Sequence, residues 1–284
     1  MKAAVLAFLA VVSLLACASA LASESATKAA ADSLARLHDW TGSWLEAGRF
    51  SLLTYAPRQW RGTGELTVYI EGDGRSWISR EELADDPTPR NGRVLKLAVS
   101  DPGDAAYLAR PCHYLDAAEL AGCHQRYWSL ARYGEDVVEA IDAALDTLKH
   151  RAGAGRLRLV GYSGGAQLAV LAAARRNDIA GIITVGGNLD HRRWTASQDV
   201  SALTGSLNAA DVADTVQHIP QVHFLGELDT TVGRDVIDSY LDRMPVTSPG
   251  RVIEVPGYDH GCCWADNWPG LLAVATKLLG IPGR

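Results

Sequence analysis

The sequence has little of several features that mark particular classes of protein. It lacks an excess of positive charge, because 27 lysines and arginines stand against 33 acidic residues and the formal net charge is −6. Nucleic acids and anionic membrane surfaces would require a basic face, so neither is expected as a partner. There is no block of like charges, no low-complexity tract and no internal repeat of about 20–50 residues, the mark of repeat architectures. Length and ordinary composition favour one α/β domain with a large core.

The sequence also lacks an apolar run long enough to cross a membrane, although it begins with a shorter one. Residues Ala3–Ala16 are apolar or small apart from one serine, and this run falls short of the ~20 residues that a bilayer requires. With Lys2 before it and small residues after it, the segment is typical of a signal peptide over residues 1–22. Leu14–Cys17 is also similar to a bacterial lipobox, in which Cys17 would become a lipidated first residue. Both alternatives predict export, to the periplasm or out of the cell, with a lipid anchor in the second case.

Export affects the interpretation of the cysteines, because an oxidising compartment favours disulfides over free thiols or zinc thiolates. Cys112 and Cys123 flank a short loop, and a bridge between them would stabilise the fold by roughly 3 kcal/mol on the entropic account. Each is followed by a histidine, His113 and His124, so a metal site is the alternative. The disulfide is the preferred interpretation.

A second pair of cysteines, Cys262 and Cys263, is adjacent in the sequence. The Cα atoms of neighbouring residues lie ~3.8 Å apart, which is below the usual range for a disulfide. A strained vicinal bridge and two separate buried residues both fit this pattern. The sequence leaves the choice between them open.

From about residue 50, short apolar runs alternate with helical patterns, which predicts a mostly parallel sheet covered by helices. The predicted strands are Leu66–Ile70, Val94–Val99, Leu157–Val160, Ile179–Val185, Gln221–Leu225 and Arg251–Val255. The predicted helices are Arg132–His150, Gly164–Arg176, Val232–Arg243 and Asp266–Leu279. The predicted domain therefore covers residues 49–284, after a lead-in segment at 23–48.

Two connections are longer than a plain turn needs, and long loops are usually functional. Asn188–Pro220 has no clear periodicity, and we interpret the segment at about 188–220 as a small cap over a site. The segment at about 101–125, which holds the predicted disulfide, is a second candidate for a wall of the pocket.

The sharpest feature is a serine in a glycine-rich turn. Gly161-Tyr-Ser163-Gly-Gly165 stands between a predicted strand and an alanine-rich helix, which is the context that G-x-S-x-G requires. A serine hydroxyl is a weak nucleophile unless it is exposed, aimed and deprotonated by a neighbour. A tight turn aims it, and small residues are then needed two positions to either side. The alternative is a strand-to-helix turn that happens to contain serine.

This motif and the order of elements from about residue 50 onward resemble the α/β-hydrolase superfamily. More narrowly, the chain is similar to uncharacterised exported bacterial α/β hydrolases. The resemblance implies an α/β-hydrolase fold, with a mostly parallel central sheet flanked by helices and a small cap insertion. It also implies that Ser163 is a nucleophile and that an acid and a histidine follow it along the chain.

By this resemblance the base follows the last strand and the acid follows the strand before it. His260 follows the last predicted strand, and Asp229 follows the predicted strand before it. Asp229 would accept the imidazole N–H, fix its tautomer and stabilise the imidazolium. Glu227 and Asp190 are rival acids, whereas Asp259 is interpreted as a turn-former.

An oxyanion hole requires two N–H donors aimed at the developing negative oxygen. Gly164, directly after the serine, would supply one of them. By similarity to the superfamily's His-Gly-x-Gly loop, Asp73 would supply the other, with Glu71 where histidine is usual. An acidic side chain there would be unfavourable unless Glu71 turns away or pairs with Arg75. An ordinary Gly-Asp-Gly turn is the alternative.

Aromatic residues are candidates for the lining of an apolar pocket, with plain core positions as the alternative: Tyr162, Trp77, Trp264, Trp128 and Trp194. The preferred function is hydrolysis of a small-molecule carboxylic ester, because an alkoxide departs more readily than an amine. A peptidase or amidase on the same triad and a noncatalytic binding protein with this fold are the alternatives. The sequence indicates no metal and no organic cofactor, and it leaves the physiological substrate and the oligomeric state open.

Overall fold

The centre of the molecule is a sheet whose strands bring distant parts of the chain together. The computed structural model describes residues 26–245 and 250–280. Within them the strands are β1 (Trp40–Ala47), β2 (Phe50–Pro57), β3 (Glu65–Ile70), β4 (Asp104–Leu108), β5 (Arg156–Tyr162), β6 (Ile179–Val185), β7 (Gln221–Gly226) and β8 (Gly250–Val255). They lie side by side in the order β1-β2-β4-β3-β5-β6-β7-β8. β2 is antiparallel to both neighbours and the other pairings of these strands are parallel, which confirms the predicted mostly parallel sheet.

Helices cover both faces of this sheet. Those in the described residues are α1 (Ala26–Leu37), α2 (Arg93–Val99), α3 (Ala117–Ala121), α4 (Glu135–Ala152), α5 (Gly165–Ala173), α6 (His191–Ser197), α7 (Arg234–Leu241) and α8 (Trp268–Leu278). Short 3-10 turns cover Gln125–Trp128 and Ala209–Val212. α4, α5 and α7 bury side chains with one face of the sheet, and α1, α2 and α8 with the other. The result is the layered α/β arrangement that the alternating pattern predicts.

β3 illustrates how one strand serves two cores. Leu66, Val68 and Ile70 are buried with the layer of α4 and α5, whereas Tyr69 is buried with the layer of α2 and α8. Successive side chains of a strand point to opposite faces, so a strand covered on both sides is apolar almost throughout. Replacing a leucine at such a site with alanine costs ~2–5 kcal/mol. This two-sided burial is why an unbroken apolar run marks the strand in the sequence.

One predicted strand is a helix. Residues Arg93–Val99 form α2, so the prediction of a strand at Val94–Val99 is wrong. Val94, Leu95, Leu97 and Ala98 are buried and Lys96 is exposed. A short apolar run with one polar residue fits a buried strand and one side of a short helix equally well, so periodicity does not separate them. Gly92, with φ 56°, turns the chain into this helix.

Three strands were not predicted. β1 and β2 form an antiparallel hairpin, with Ala47 paired to Phe50, and β1 lies within the segment 23–48 that the sequence assigned to a lead-in. The sheet therefore begins before residue 49. Gly42 and Glu46 interrupt the apolar pattern of β1, and the alanines of β4 have weak strand propensity, so neither strand stands out in the sequence.

The remaining predicted strands and all four predicted helices are present, with ends within three residues of the predicted ones. α4 buries the stripe that its spacing predicts, including Val137, Ile141 and Leu148. It ends at Ala152 and is capped by Gly153, whose φ of 60° lies in the left-handed region that glycine adopts at little cost.

Both cysteine pairs are bonded. Cys112 and Cys123 form a disulfide with Cα atoms 5.8 Å apart, so their thiols are not available as metal ligands. Cys262 and Cys263 are joined as a vicinal disulfide, one of the two arrangements that the sequence left open. The predicted signal peptide and Cys17 lie outside the described residues. No helix within those residues is both long and apolar enough to cross a membrane.

Candidate active site

The turn between β5 and α5 places Ser163 at the carboxyl edge of the sheet. Its φ of 50° lies in the left-handed region that side chains rarely adopt. The Ser163 amide donates to the carbonyl of Val185 at 3.0 Å, and its own carbonyl accepts from the amides of Ala166 and Asn188 at 3.1 Å each. The backbone at the start of α5 and at the end of β6 therefore holds this turn in place, while Ser163 itself stays partly exposed.

The glycines two positions to either side of Ser163 are required by close packing. A Cβ on Gly161 would lie 2.5 Å from the Cα of Ala166. A Cβ on Gly165 would collide with the carbonyl oxygen of Ile70. These collisions explain why the motif requires small residues two positions to either side of the serine.

His260 lies in the loop between β8 and α8 and faces the serine. Its Nε2 atom is 3.0 Å from the Oγ atom of Ser163. Its Nδ1 atom is 2.8 Å from the Oδ2 atom of Asp229. Both distances are within hydrogen-bond range. The structure therefore brings together three residues that the sequence keeps far apart.

The Asp229 carboxylate is fixed by its own loop. Its side chain is fully buried, with 0% exposed. The Oδ1 atom accepts from the amides of Thr231 and Val232 at 2.9 Å each, which leaves Oδ2 directed at His260. These backbone bonds orient the carboxylate before any substrate binds.

The two rival acids have other partners. Glu227 is exposed and accepts from the amide of Gly257 at 2.8 Å. Asp190 caps the first turn of α6 and accepts from the hydroxyl of Ser239 at 2.6 Å. In the part of the chain that the structure describes, neither carboxylate is hydrogen-bonded to His260.

The loop after β3 lies directly against the serine turn. A Cβ on Gly72 would lie 3.0 Å from the Tyr162 ring and 3.4 Å from the Cβ of Ser163. The amide groups of Asp73 and Gly164 have no acceptor among the described residues. Buried amides are nearly always paired with protein, water or ligand, so these two are free to bind an oxygen in the site.

Glu71 occupies the position of the superfamily's histidine and turns away from Ser163. Its Oε1 atom accepts from the amide of Gly72, and its Oε2 atom accepts from the hydroxyl of Tyr107, both at 2.9 Å. Burial raises the pKa of Glu71 to about 7. The sequence left open whether Glu71 turns away or pairs with Arg75. Within the described part of the structure, Glu71 bonds to Gly72 and Tyr107 and forms no ion pair with Arg75.

The Asp73 side chain is held by buried cations beneath the loop. Arg132 Nη1 lies 2.8 Å from its Oδ2 atom, Arg110 pairs with its Oδ1 atom, and the hydroxyl of Tyr133 donates to it at 2.8 Å. Burial acts to raise the pKa of Asp73, but the charges of Arg132 and Arg110 outweigh it and hold the pKa well below the ordinary value. The ionised carboxylate lies so close to Gly164 that a Cβ there would collide with it.

A cavity of about 500 Å³ opens beside Ser163 and His260. Tyr162, Trp77 and Trp194 are among the residues that line it, and all three are among the aromatic candidates that the sequence offered. Trp194 comes from the segment 188–220, which contains α6 and the second 3-10 turn. That segment thus forms one side of the cavity, where a cap was predicted.

Other features predicted at the pocket do not line it. Trp264 is fully buried and donates to the carbonyl of Asp259 at 3.0 Å, so its assignment to the pocket is wrong. Trp128 is also buried and donates to the carbonyl of Ala84. No residue of the segment 101–125 is among those that line the cavity. Its contribution is indirect, since it carries the arginine beneath Asp73.

Solved structures with the same architecture include enzymes of different specificity. The esterase Pf2001 of Pyrococcus furiosus has a TM-score of 0.59 at 11% identity, over 84% of this chain and 90% of that one. Proline iminopeptidase of Mycobacterium smegmatis has a TM-score of 0.57 at 14% identity, over 84% and 98%. An alpha-beta serine hydrolase homologue from Coxiella burnetii has a TM-score of 0.54 at 14% identity, over 84% and 96%. The chain has the α/β-hydrolase fold. A scan against protein-family models and a search of curated proteins gave no match.

One contact of this α/β-hydrolase fold was missed in the sequence. Gly186, at the end of β6, has φ 53°, and a Cβ there would lie 3.0 Å from His260 Nδ1 and 3.1 Å from Asp229 Oδ2. Only glycine combines this backbone angle with this close approach. The Gly186-Gly187 pair directly after a strand is the signal that could have indicated it.

The His260 loop is also braced from the cavity side. The Tyr162 hydroxyl donates to the carbonyl of His260 at 2.8 Å and accepts from Arg93 Nη1 at 2.6 Å. Burial raises the pKa of Tyr162 to about 12, so the hydroxyl keeps its proton. Asp259 accepts from the amides of Gly261 and Cys262, in agreement with its interpretation as a turn-former.

Proposed function

We propose that the protein is a serine hydrolase that cleaves a carboxylic ester through an acyl-enzyme, with Ser163, His260 and Asp229 as its catalytic residues. The observation that carries this proposal is the continuous chain of hydrogen bonds from Ser163 Oγ through both ring nitrogens of His260 to a buried carboxylate. This is the arrangement that a serine nucleophile requires for activation. The adjoining cavity gives a substrate access to the hydroxyl.

In the acylation stage, Ser163 Oγ attacks the ester carbonyl carbon while His260 Nε2 takes the hydroxyl proton. Asp229 accepts the Nδ1–H and stabilises the imidazolium that forms. The tetrahedral intermediate then breaks the bond between its carbon and the alcohol oxygen. His260 gives its proton to that oxygen, the alcohol leaves, and the acyl group stays on Ser163.

In the deacylation stage, a water molecule attacks the acyl carbon and gives a proton to His260. The bond from the carbon to Ser163 Oγ breaks, Oγ recovers the proton, and the carboxylic acid leaves. In both stages the amides of Asp73 and Gly164 donate to the carbonyl oxygen as it becomes negative. Loss of one such donor typically costs about 2.7–4 kcal/mol of transition-state stabilisation.

An apolar groove supports an ester with a hydrocarbon part. The groove measures about 420 Å³, shares Trp77 and Trp194 with the cavity, and is also lined by Ile78, Leu130 and Val200. These last three are exposed. Ligand pockets of this size are lined mainly by apolar side chains with a few polar groups. The groove would hold the apolar part of the acyl or the alcohol group.

The similar structures include an esterase and a proline iminopeptidase, and we propose that this protein acts as an esterase. The alkoxide released from an ester is a better leaving group than the amide anion that a peptide bond would release. A free peptide amine is also largely protonated at neutral pH. Arg75, Arg90 and Arg93 line the cavity, and their charges would repel such a substrate.

Labelling with a fluorophosphonate tests the proposed catalysis directly. We expect stoichiometric labelling of the native protein at Ser163, located by peptide mass spectrometry, and none in Ser163→Ala. Ser129→Ala is the matched control, because this hydroxyl donates to a backbone carbonyl away from the triad. No labelling of the native protein, or equal labelling of Ser163→Ala, would overturn the proposal in favour of a noncatalytic protein.

The ester preference is tested by a panel of substrates. We expect p-nitrophenyl esters of graded acyl length to be hydrolysed with much higher kcat/KM than the matching p-nitroanilides, and Ser163→Ala to abolish both activities. Faster cleavage of the anilides or of peptide amides would favour the peptidase alternative.

We also propose that the protein is exported by its leader at residues 1–22. Disulfides are typical of proteins that mature in an oxidising compartment, and two occur in the described residues. Mass spectrometry of the N-terminus after expression of the full chain in a bacterial host tests this. A free terminus near residue 23 supports signal-peptide cleavage, and a lipidated Cys17 supports the lipoprotein alternative. An intact Met1 would contradict export.

A further inference from the structure

Positive charge gathers around the cavity beside Ser163, although the chain as a whole carries a net charge of −6. Four arginines line the cavity: Arg75, Arg90, Arg93 and Arg132. The first three come from the single stretch 71–93, which leads from β3 into α2. Like charges in one small cavity repel one another. Each of these arginines is therefore expected to interact with a group of the protein or with a bound anion.

Two of the four have a partner in the fold. Arg132 is buried and forms an ion pair with Asp73 at 2.8 Å. Arg93 donates to the Tyr162 hydroxyl at 2.6 Å, and its guanidinium lies 5.2 Å from the centre of that ring. These two arginines are accounted for by the support they give to the site.

Arg75 and Arg90 have no such partner. Across residues 26–245 and 250–280, neither guanidinium group takes part in a hydrogen bond, an ion pair or a stacking contact. The two carboxylates that line the cavity are engaged elsewhere, since Glu71 bonds to Tyr107 and Asp73 to Arg132. Arg75 is nevertheless half-buried, and Arg90 is exposed.

The chemistry of arginine indicates what these groups would bind. A guanidinium presents a planar fork of donors that matches a carboxylate or phosphate with two hydrogen bonds. A cavity lined by one sign of charge also raises the local concentration of a substrate of the opposite sign. A neutral ester would gain from neither effect.

We propose that the substrate is an ester carrying an anionic group, a carboxylate or a phosphate, close to the scissile carbonyl, and that Arg75 and Arg90 bind this group. The inference rests on the proposed esterase function and names its substrate class. It makes Arg75 and Arg90 the specificity-determining residues of the site. The apolar groove would take the uncharged side of the same molecule.

Two matched substrate pairs test the charge preference. The first pair is the p-nitrophenyl monoester of glutaric acid and the same ester with its free carboxylate methylated, which places the charge on the acyl side. The second pair is the butyrate ester of 4-hydroxybenzoic acid and that of its methyl ester, which places the charge on the alcohol side. Each kcat/KM is divided by the rate of alkaline hydrolysis, which removes differences in intrinsic reactivity. We expect the anionic member of at least one pair to be preferred by about tenfold or more.

The double variant Arg75→Gln, Arg90→Gln is expected to reduce this preference about tenfold, and added salt should reduce it in the native protein. Arg61→Gln is the matched control. Arg61 is exposed and precedes β3, at the opposite edge of the sheet from Ser163. The control should therefore keep the native kcat/KM for every substrate. A native preference for the methylated members in both pairs, or a preference that the double variant leaves unchanged, would overturn the inference.

Binding to Ser163→Ala separates this inference from the proposed function. Isothermal titration of that variant with monomethyl glutarate and with phenyl phosphate measures anion binding without catalysis. We expect binding of at least one of them, and its loss when Arg75→Gln and Arg90→Gln are added. Binding without fluorophosphonate labelling of the native protein would contradict catalysis but retain the anion site. Labelling with no anion binding and no charge preference would retain the esterase and contradict the anion site.

Discussion

Two regions meet at Ser163 and are held together in different ways. The proposed triad is built from strand ends: each of its residues follows one of the parallel strands β5, β7 and β8. Backbone amides of its own loop orient Asp229. The loop after β3, called the oxyanion loop because it carries the proposed donor Asp73, instead depends on side-chain charge. Asp73 is held there by Arg110 and Arg132, 37 and 59 residues away in sequence. One region is assembled by topology and the other by a buried ion network.

The difference has a consequence for mutation. Parallel strands bring their carboxyl ends to one edge of the sheet without help from the side chains that stand there. A triad residue can therefore change with little effect on stability. In a buried ion network the charged side chains hold the loop in position and also neutralise one another. Removing one of them leaves buried charges unpaired, so a change there should lower activity and stability together.

The largest expected effect is the loss of activity in Asp229→Asn. Asparagine would present an amide to His260 and favour the wrong tautomer, so kcat/KM for a p-nitrophenyl ester should fall about 10³–10⁴-fold. Because the backbone bonds to Oδ1 can be kept, the free energy of unfolding in urea should change by less than about 1 kcal/mol.

Asp190→Asn is the control for this prediction. Asp190 caps α6 and bonds to Ser239, so this variant should lose stability and keep most of its kcat. Full activity in Asp229→Asn together with loss of activity in Asp190→Asn would show that the acid is assigned to the wrong strand end.

The next largest effect is expected for Asp73→Asn in the ion network. Arg110 and Arg132 are almost fully buried, and the substitution would leave both without their counter-charge. Breaking a buried pair in this way costs about 3–5 kcal/mol, measurable by urea unfolding, and kcat should fall as well because the loop loses its support.

Glu135→Gln provides the comparison on the surface. It removes an exposed bidentate ion pair with Arg175, at 2.7 and 2.8 Å, whose expected contribution is at most about 1 kcal/mol. The buried network does not hold the loop if Asp73→Asn lowers the free energy of unfolding no more than Glu135→Gln does. The same conclusion follows if Asp73→Asn lowers stability but leaves kcat unchanged.

A pH-dependent effect of intermediate size is expected from Glu71. Burial raises its pKa in the folded protein to about 7, from an ordinary value of 4.5. Below pH 4.5 both folded and unfolded chains hold the proton, and the full stabilisation is present. As the pH rises to 7 the unfolded chain releases the proton first, so the free energy of unfolding falls by up to roughly 3 kcal/mol.

The Glu71→Gln variant isolates the contribution of Glu71 to the pH dependence of stability. Glutamine cannot ionise, so the stability of the native protein relative to Glu71→Gln should decline between pH 4.5 and 7. Urea titrations across this range measure it. Parallel pH curves for the two proteins would mean that Glu71 titrates alike in the folded and unfolded states.

The same contrast explains how much the sequence predicts. The triad geometry follows from local signals, since Asp229 and His260 each stand directly after an apolar run. The loop does not, because similarity to the superfamily suggested the Asp73 amide as a donor but gave no reason to connect its side chain with Arg110 and Arg132. Strand β4 was missed and helix α2 was predicted as a strand for a different reason, because short runs rich in alanine or leucine carry no decisive periodicity.

The smallest expected effect concerns the link between the two regions. Tyr162 ends β5 and belongs to the triad side, while Arg93 begins α2 at the end of the loop. The Tyr162 hydroxyl bonds to Arg93 and to the carbonyl of His260. Tyr162→Phe removes both bonds and should cost about 1 kcal/mol of stability. It should also lower kcat a few-fold, since the His260 loop loses its brace.

Tyr240→Phe distinguishes this coupling from the general loss of a buried hydroxyl. The Tyr240 hydroxyl donates to Gln221 at 2.9 Å within the core, so this variant should lose similar stability in urea and keep the native kcat. A double-mutant cycle of Tyr162→Phe with Arg93→Gln should then be non-additive in kcat, because the two side chains act through one contact. Additive effects, or equal kcat losses in both tyrosine variants, would mean that the triad and the oxyanion loop are positioned independently of each other.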